Sequence, residues 1–309
     1  MTDFVYQPGA HRFAVFTACC TLLLLVAGAL VTSNDAGLAV PDWPLSYGSV
    51  LPPMVGGIFW EHGHRMVATL VGILTIILAI WLHRHDTRPW MRKLGWVALA
   101  MVIAQGILGG LTVLFYLPRP VSISHAGLAQ LFFCTTVSLA FFTSRWWASE
   151  LPQWEDREWT QVRLLAALTF GAIFVQLILG AAFRHQAIGI LPHIVWAFVV
   201  AGMAGWTTRA VQQRTGAAGF LRAAARSLSA LVGMQILLGA ATFWAVWTTR
   251  EDPQPMPVMV VSTVAHLALG ALTMAASVLV ALGCFRVTRP AVLVTSGVAR
   301  LNAAQESWR

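Results

Sequence analysis

Apolar residues fall into eight long runs separated by short polar breaks, near 12–33, 60–82, 94–116, 122–143, 163–183, 190–208, 227–247 and 258–283. Each is about the 20 residues a helix needs to cross a hydrocarbon layer roughly 30 Å thick. A chain inside that layer must satisfy its backbone polar groups within each segment, so the runs are read as helices. The pattern predicts an all-α integral membrane protein with eight transmembrane helices. Ala27-Gly28-Ala29 in the first run resembles a signal-peptide cleavage site. The run is long, however, and has a counterpart later in the chain, which favours a retained span.

Composition agrees with this reading. Of 309 residues, 58% are hydrophobic and 10% charged, whereas a soluble domain carries about 25% charged residues. The net charge of +8 would suit a nucleic-acid partner, but its distribution argues otherwise. Basic residues gather in alternate loops: Arg84, Arg88, Arg92 and Lys93; Arg145, Arg157 and Arg163; Arg209, Arg214, Arg222 and Arg226; and Arg286, Arg289, Arg300 and Arg309 in the tail. With Arg12 these are all but four of the Lys and Arg residues, the exceptions being Arg65, Arg119, Arg184 and Arg250. Cytoplasmic loops retain such charge, which predicts a multi-pass protein of the plasma (inner) membrane with both termini cytoplasmic and no nucleic-acid partner. Cys19, Cys20, Cys134 and Cys284 lie within apolar runs, away from positions where a disulfide or zinc site is expected.

The chain also repeats itself. Gln105-Gly106-Ile107-Leu108-Gly109-Gly110-Leu111-Thr112 in the third run aligns with Gln235-Ile236-Leu237-Leu238-Gly239-Ala240-Ala241-Thr242 in the seventh. Each precedes a helix opening on histidine, His125-Ala126-Gly127-Leu128 and His266-Leu267-Ala268-Leu269-Gly270. His64-Arg65-Met66-Val67-Ala68 and His193-Ile194-Val195-Trp196-Ala197 match in the same way. Two tandem four-helix bundles follow, residues 1–150 and 151–309, in the same orientation because four is an even number.

The repeat places His64, His125, His193 and His266 near the start of every even-numbered run, at one depth toward the outer face. Polar groups in lipid need a partner or a function, and paired imidazoles on facing helices of a bundle suit the axial positions of a haem iron. Gly109, Gly110, Gly127, Gly180, Gly239 and Gly270 would let a flat ring approach, although small residues also serve ordinary helix packing. Zinc favours four close ligands, and here the pairs are split between halves. Both rings would lie on the outer side, which does not suit electron transfer across the bilayer.

One residue breaks the symmetry. Glu61 stands three before His64, on the same helix face; the matching residues before His193 and His266 are Ile190 and Thr263. Glu61 either caps its helix start or marks one ring as a reactant and the other as a fixed cofactor. His62 projects from another face than His64, His185 is a candidate pocket-lining residue, and His11, His83 and His85 read as solvated at the cytoplasmic boundary.

Gly37-Leu38-Ala39-Val40-Pro41-Asp42-Trp43-Pro44 followed by Glu61-His62-Gly63-His64-Arg65 resembles the haem A synthase family, and the later histidines and the repeat extend the likeness. The resemblance implies an oxidoreductase acting on a methyl group, converting the C8 methyl of haem O to the formyl of haem A for terminal oxidase biogenesis, with water as the oxygen source. It further implies haem b as cofactor on His193 and His266, substrate haem between His64 and His125, and Glu61 as the catalytic residue. Implied partners are haem O, haem A and the lipid bilayer, together with haem O synthase and an electron acceptor that the sequence does not identify. Many bacterial members carry a cysteine pair in the first outer loop, one where this chain has Val40; this loop has none. The competing reading is a non-catalytic membrane cytochrome b passing electrons between a quinone and a partner, which accounts for four histidines but not for Glu61 or the loop element. A metal-free transporter is a third.

Overall fold

The computed structural model describes residues 6–156, 161–214 and 219–290. Its long helices are α1 (Pro8–Ser33), α2 (Gly56–His85), α3 (Pro89–Leu114), α4 (Arg119–Phe142), α6 (Val162–Arg184), α7 (Leu191–Gln212), α8 (Gly219–Thr248) and α9 (Pro257–Val287), with a single-turn helix α5 (Arg145–Ala148) after α4. All eight long helices are apolar enough to cross a membrane, as the hydropathy pattern predicts. Proline stands in the first turn of α1, α3, α4, α7 and α9, where its missing N–H costs nothing. Several helices outrun the apolar core. The 30 residues of α2 span about 45 Å, so its ends reach beyond the hydrocarbon, and Glu61 lies in the second turn rather than at the start.

The helices close into two sets. α1 packs on α2 and α4, and α3 on α2 and α4; α6 and α8 each pack on α7 and α9. This is consistent with two tandem bundles in which α2 faces α4, and α7 faces α9, across a diagonal. α1 and α4 join the halves through α9, and α4 also meets α6. Buried hydroxyls satisfy themselves on the preceding turn, as Thr21 does on Thr17 and Thr75 on Val71, so they add little cost to the apolar interior.

Each half has its own packed cluster, Leu74, Leu78, Leu82, Met91, Phe132 and Leu139 in one and Val162, Val200, Leu221, Leu228, Met274 and Val280 in the other. Both occupy the ends of the helices away from the four histidines. In α9 the buried positions begin at Ala271, and in α7 at Val200; nearer His266 and His193 the side chains are half-buried or exposed. The C-terminal bundle is thus tight at one end and looser at its histidine end, whereas in the N-terminal one Glu61, His62 and Ser122 are buried beside the histidines.

One feature lies outside the hydropathy pattern. Trp154–Asp156 and Thr288–Pro290 form a short parallel strand pair that ties the connection between the halves to the end of α9. Among the cytoplasm-assigned basic residues, Arg157, Arg300 and Arg309 lie outside the described residues. Arg88 departs from a solvated loop residue: it is buried, pairs with Asp86 at 2.7 Å and donates to the Phe142 carbonyl at 3.0 Å. His11 departs likewise, its Nδ1 lying 3.1 Å from the Ala140 carbonyl of α4, whereas His83 and His85 are exposed.

Candidate functional site

The four histidines share one local construction. Each imidazole packs with its Cε1 corner against a glycine of the preceding helix: a Cβ on Gly28, Gly109, Gly180 or Gly239 would fall 3.1, 3.2, 2.9 or 3.0 Å from Cε1 of His64, His125, His193 or His266. Antiparallel neighbours place the end of one helix beside the beginning of the next, and only a residue without a side chain admits a ring there. The glycines singled out in the sequence therefore divide. Gly109, Gly180 and Gly239 receive histidine rings, while Gly110 receives Trp43, Gly127 faces Ile178 across the seam between halves, and Gly270 faces Gln235. Gly28 was missed, although it is the centre of Ala27-Gly28-Ala29; its small neighbours now have a packing reason.

His193 and His266 face each other with ring centroids 6.4 Å apart and planes at 74°. That is about the separation two imidazoles keep on opposite sides of a metal ion with metal–nitrogen bonds of roughly 2 Å. No third His, Cys, Asp or Glu joins either pair among the described residues, so an ion held here must bring its own equatorial donors, as haem iron does. Nδ1 of His193 lies 3.1 Å from the Gln176 carbonyl, the kind of contact that fixes a ligand tautomer and leaves Nε2 for metal. Nδ1 of His64 and of His266 is buried with no hydrogen-bond partner among the described residues. Orphaned imidazole nitrogens and glycine cradles, with half-buried or exposed side chains around His193 and His266, together fit a tetrapyrrole.

Glu61 is 4% exposed and is not a helix cap. Its Oε1 pairs with Arg65 Nη2 at 2.5 Å and its Oε2 accepts the Val40 N–H at 2.8 Å. Arg65 continues into the first loop through Nη1, which donates to the carbonyls of Asp42 at 2.8 Å and Leu45 at 2.6 Å. The two motifs that stood apart in the sequence are thus one structure. Asp42 closes the loop by accepting the N–H groups of Gly48 at 2.8 Å and Tyr47 at 2.6 Å; these bonds, the Gly48 one foremost, hold its carboxyl below the usual carboxylate range. Tyr47 OH donates to the Ala39 carbonyl at 2.7 Å. Trp43 lies over Gly110, and Ala39 over Gly57. His62 is buried in the same unit, its Nδ1 bonded to Ser46 Oγ at 2.8 Å, so it serves the loop.

Ser122 occupies the place three before His125, and its buried Oγ has no hydrogen-bond partner among the described residues. The N-terminal site is therefore flanked by Glu61 and Ser122, and the C-terminal site by Ile190 and Thr263. Of the four arginines outside the basic loops, Arg65 is committed to the α1–α2 loop and Arg184 donates to Ser33 Oγ at 2.8 Å. Arg250 stacks on Trp247 at 4.0 Å, and Arg119 is exposed. His185, capping α6, is half-buried and electrostatically coupled to His125 of the other half; burial, with Arg184 beside it, pushes its ring below the ordinary histidine range. Cys19, Cys20 and Cys134 form no disulfide.

Residues 54–192 match the model of the COX15-CtaA family of cytochrome oxidase assembly proteins. This stretch contains Glu61, His64 and His125 and ends one residue before His193. Among curated relatives, the haem A synthase of Shouchella clausii is 37% identical over 137 residues, 43% of this chain and 45% of that protein. The haem A synthases of Alkalihalophilus pseudofirmus and Symbiobacterium thermophilum are 34% and 33% identical, over 41% and 38% of this chain and 44% and 39% of theirs. The alignments thus span less than half the length of these relatives.

Proposed function

We propose that the chain converts haem O to haem A by oxidising the C8 methyl to a formyl group, a reading supported by the match of residues 54–192 to the COX15-CtaA family model and by relatives named haem A synthase. The observation that carries this reading is the buried carboxylate of Glu61, one turn from His64 and fixed by Arg65 and Val40. The equivalent places in the other half hold Ile190 and Thr263. One pocket is equipped for chemistry and the other only for holding a ring.

His64 and His125 would hold the substrate, residues 1–150 forming its pocket, and His193 and His266 would hold haem b in residues 151–309. Haem b in that second site would supply one-electron transfer. Arg65 pairs with Glu61 and offsets its charge in a poorly solvated place. Each oxygen keeps a further lone-pair direction, so Glu61 can stabilise positive charge developing at the methyl carbon or accept a proton from an incoming water. Conversion of methyl to formyl removes four electrons and four protons and adds one water oxygen, in two rounds through the alcohol. The Trp43 and Val40 side of the loop covers this end of the pocket and limits water to what the chemistry consumes. A membrane cytochrome b would have no use for a carboxylate in one pocket.

We further place the histidine end at the outer face, with both termini cytoplasmic in the plasma membrane, from the distribution of Lys and Arg. Haem O synthase and an electron acceptor are the partners this chemistry asks for. Glu61→Gln keeps the side-chain volume and removes the charge. Haems extracted from cells expressing this variant should contain at least tenfold less haem A, with haem O or a hydroxylated intermediate accumulating. Undiminished haem A would sink the catalytic assignment.

A further inference from the structure

Each histidine is addressed by the residue four before its glycine cradle, one turn along the same helix. For three of them this residue is glutamine. The amide nitrogens of Gln105, Gln176 and Gln235 donate to the main-chain carbonyls of His125, His193 and His266 at 2.9, 3.0 and 2.9 Å. The same amide nitrogens lie 3.1 and 3.2 Å from Nδ1 of His125 and His193, whereas at His266 the ring nitrogen in reach is Nε2 at 3.4 Å, so the contact common to all three is the one to the main chain. The fourth position, serving His64, is Leu24, which packs in the apolar cluster of its half. His64 therefore has the glycine cradle without the amide clamp. His266 shares an orphaned Nδ1 with His64 but keeps its clamp.

We propose that Gln105, Gln176 and Gln235 are positioning residues that lock three imidazoles against their helices, and that Leu24 leaves His64 as the single releasable ligand through which substrate and product exchange at the N-terminal site. The inference rests on the haem reading above. Partners that orient a ligating histidine typically account for tenfold to hundredfold in metal affinity. A resident cofactor needs both of its ligands held. A ring that must depart after oxidation needs one ligand able to turn away, and the chain provides three histidines whose main chain is fastened by a glutamine amide and one, His64, that has none. The unheld one sits on α2, the helix that Glu61 and Arg65 fasten to the first loop, so release there does not disturb the C-terminal pair.

The test uses the full-length purified protein equilibrated with added protohaem, following transfer of haem to excess apomyoglobin and the carbon monoxide difference spectrum after reduction. Wild type should release one ring quickly and one slowly, with carbon monoxide binding only to the first. Leu24→Gln should slow the fast phase about tenfold or more and suppress carbon monoxide binding. Gln235→Leu should accelerate the slow phase and open that ring to carbon monoxide. A protein that takes up no haem overturns the haem reading and this inference with it. Two bound rings whose release and carbon monoxide spectra are unchanged by Leu24→Gln overturn this inference alone. Should Leu24→Gln not fold, Gln235→Leu decides: a slow phase at the wild-type rate rejects the clamp.

Discussion

At the scale of single residues, the deciding atoms are ones that are missing. A Cβ on Gly180 or Gly239 would come within 2.9 or 3.0 Å of an imidazole carbon, closer than carbon atoms tolerate, so the ring would have to move. Ligand geometry has little slack, because metal–nitrogen bonds are short and directional. Gly239→Ala is expected to lower the haem content of the purified protein at least tenfold, equivalent to about 1.4 kcal/mol, as read by the pyridine haemochrome spectrum. Gly233→Ala in the same helix meets nothing within 4 Å and should retain haem. Equal haem in both variants would show that the cradle is not needed. Three of these four glycines were visible in the sequence as small residues near histidines. Their task was not, because a glycine that admits an imidazole and one that admits a tryptophan look alike in a string of letters.

At the scale of elements, the loop between α1 and α2 and the start of α2 behave as one unit. Arg65 is the pin: one guanidinium reaches Glu61, the Asp42 carbonyl and the Leu45 carbonyl together. A lysine carries the same charge but lacks the planar fork that spans several acceptors. Losing hydrogen bonds to a charged group costs about 1.5–3 kcal/mol each, enough to let the loop open. Arg65→Lys should make residues 42–52 at least tenfold more susceptible to limited proteolysis. Gly110→Ala, which would place a carbon 2.6 Å from the Trp43 ring, should do the same without altering any charge. A loop cleaved at the wild-type rate in both variants would refute the unit. Glu61 had two readings in the sequence, helix cap or reactant. Neither anticipated Arg65 and Val40 as its partners, since Val40 contributes a backbone N–H that no side-chain pattern records.

For the whole molecule, the eight spans and the twofold repeat were legible because the bilayer imposes a length and an apolar composition on each segment independently of the others. The repeat also places the four histidines at one level. Their sidedness is tested by accessibility. In sealed membranes of known orientation, single cysteines replacing Asp252 and Arg84 should react with an impermeant maleimide from opposite sides, Asp252→Cys from the outer one. The native cysteines all lie within membrane-spanning helices and should contribute little background. Labelling of Arg84→Cys from the outer side would invert the proposed topology.

The seam between the halves was not legible. Ser33 of α1 bonds Thr263 of α9 at 2.9 Å and receives Arg184 of α6, joining three helices whose sequences give no sign of one another. The sequence by itself determined the eight spans, because each depends on properties carried within a single segment, and the packing of the helices is consistent with the tandem repeat read from it. Only the tertiary structure decided which glycine cradles which ring, which histidine lacks a clamp and what holds Glu61. Those depend on how each helix is rotated against its neighbours. Helices apolar on every side, dissolved in lipid as apolar as themselves, do not announce that rotation in their hydrophobic pattern.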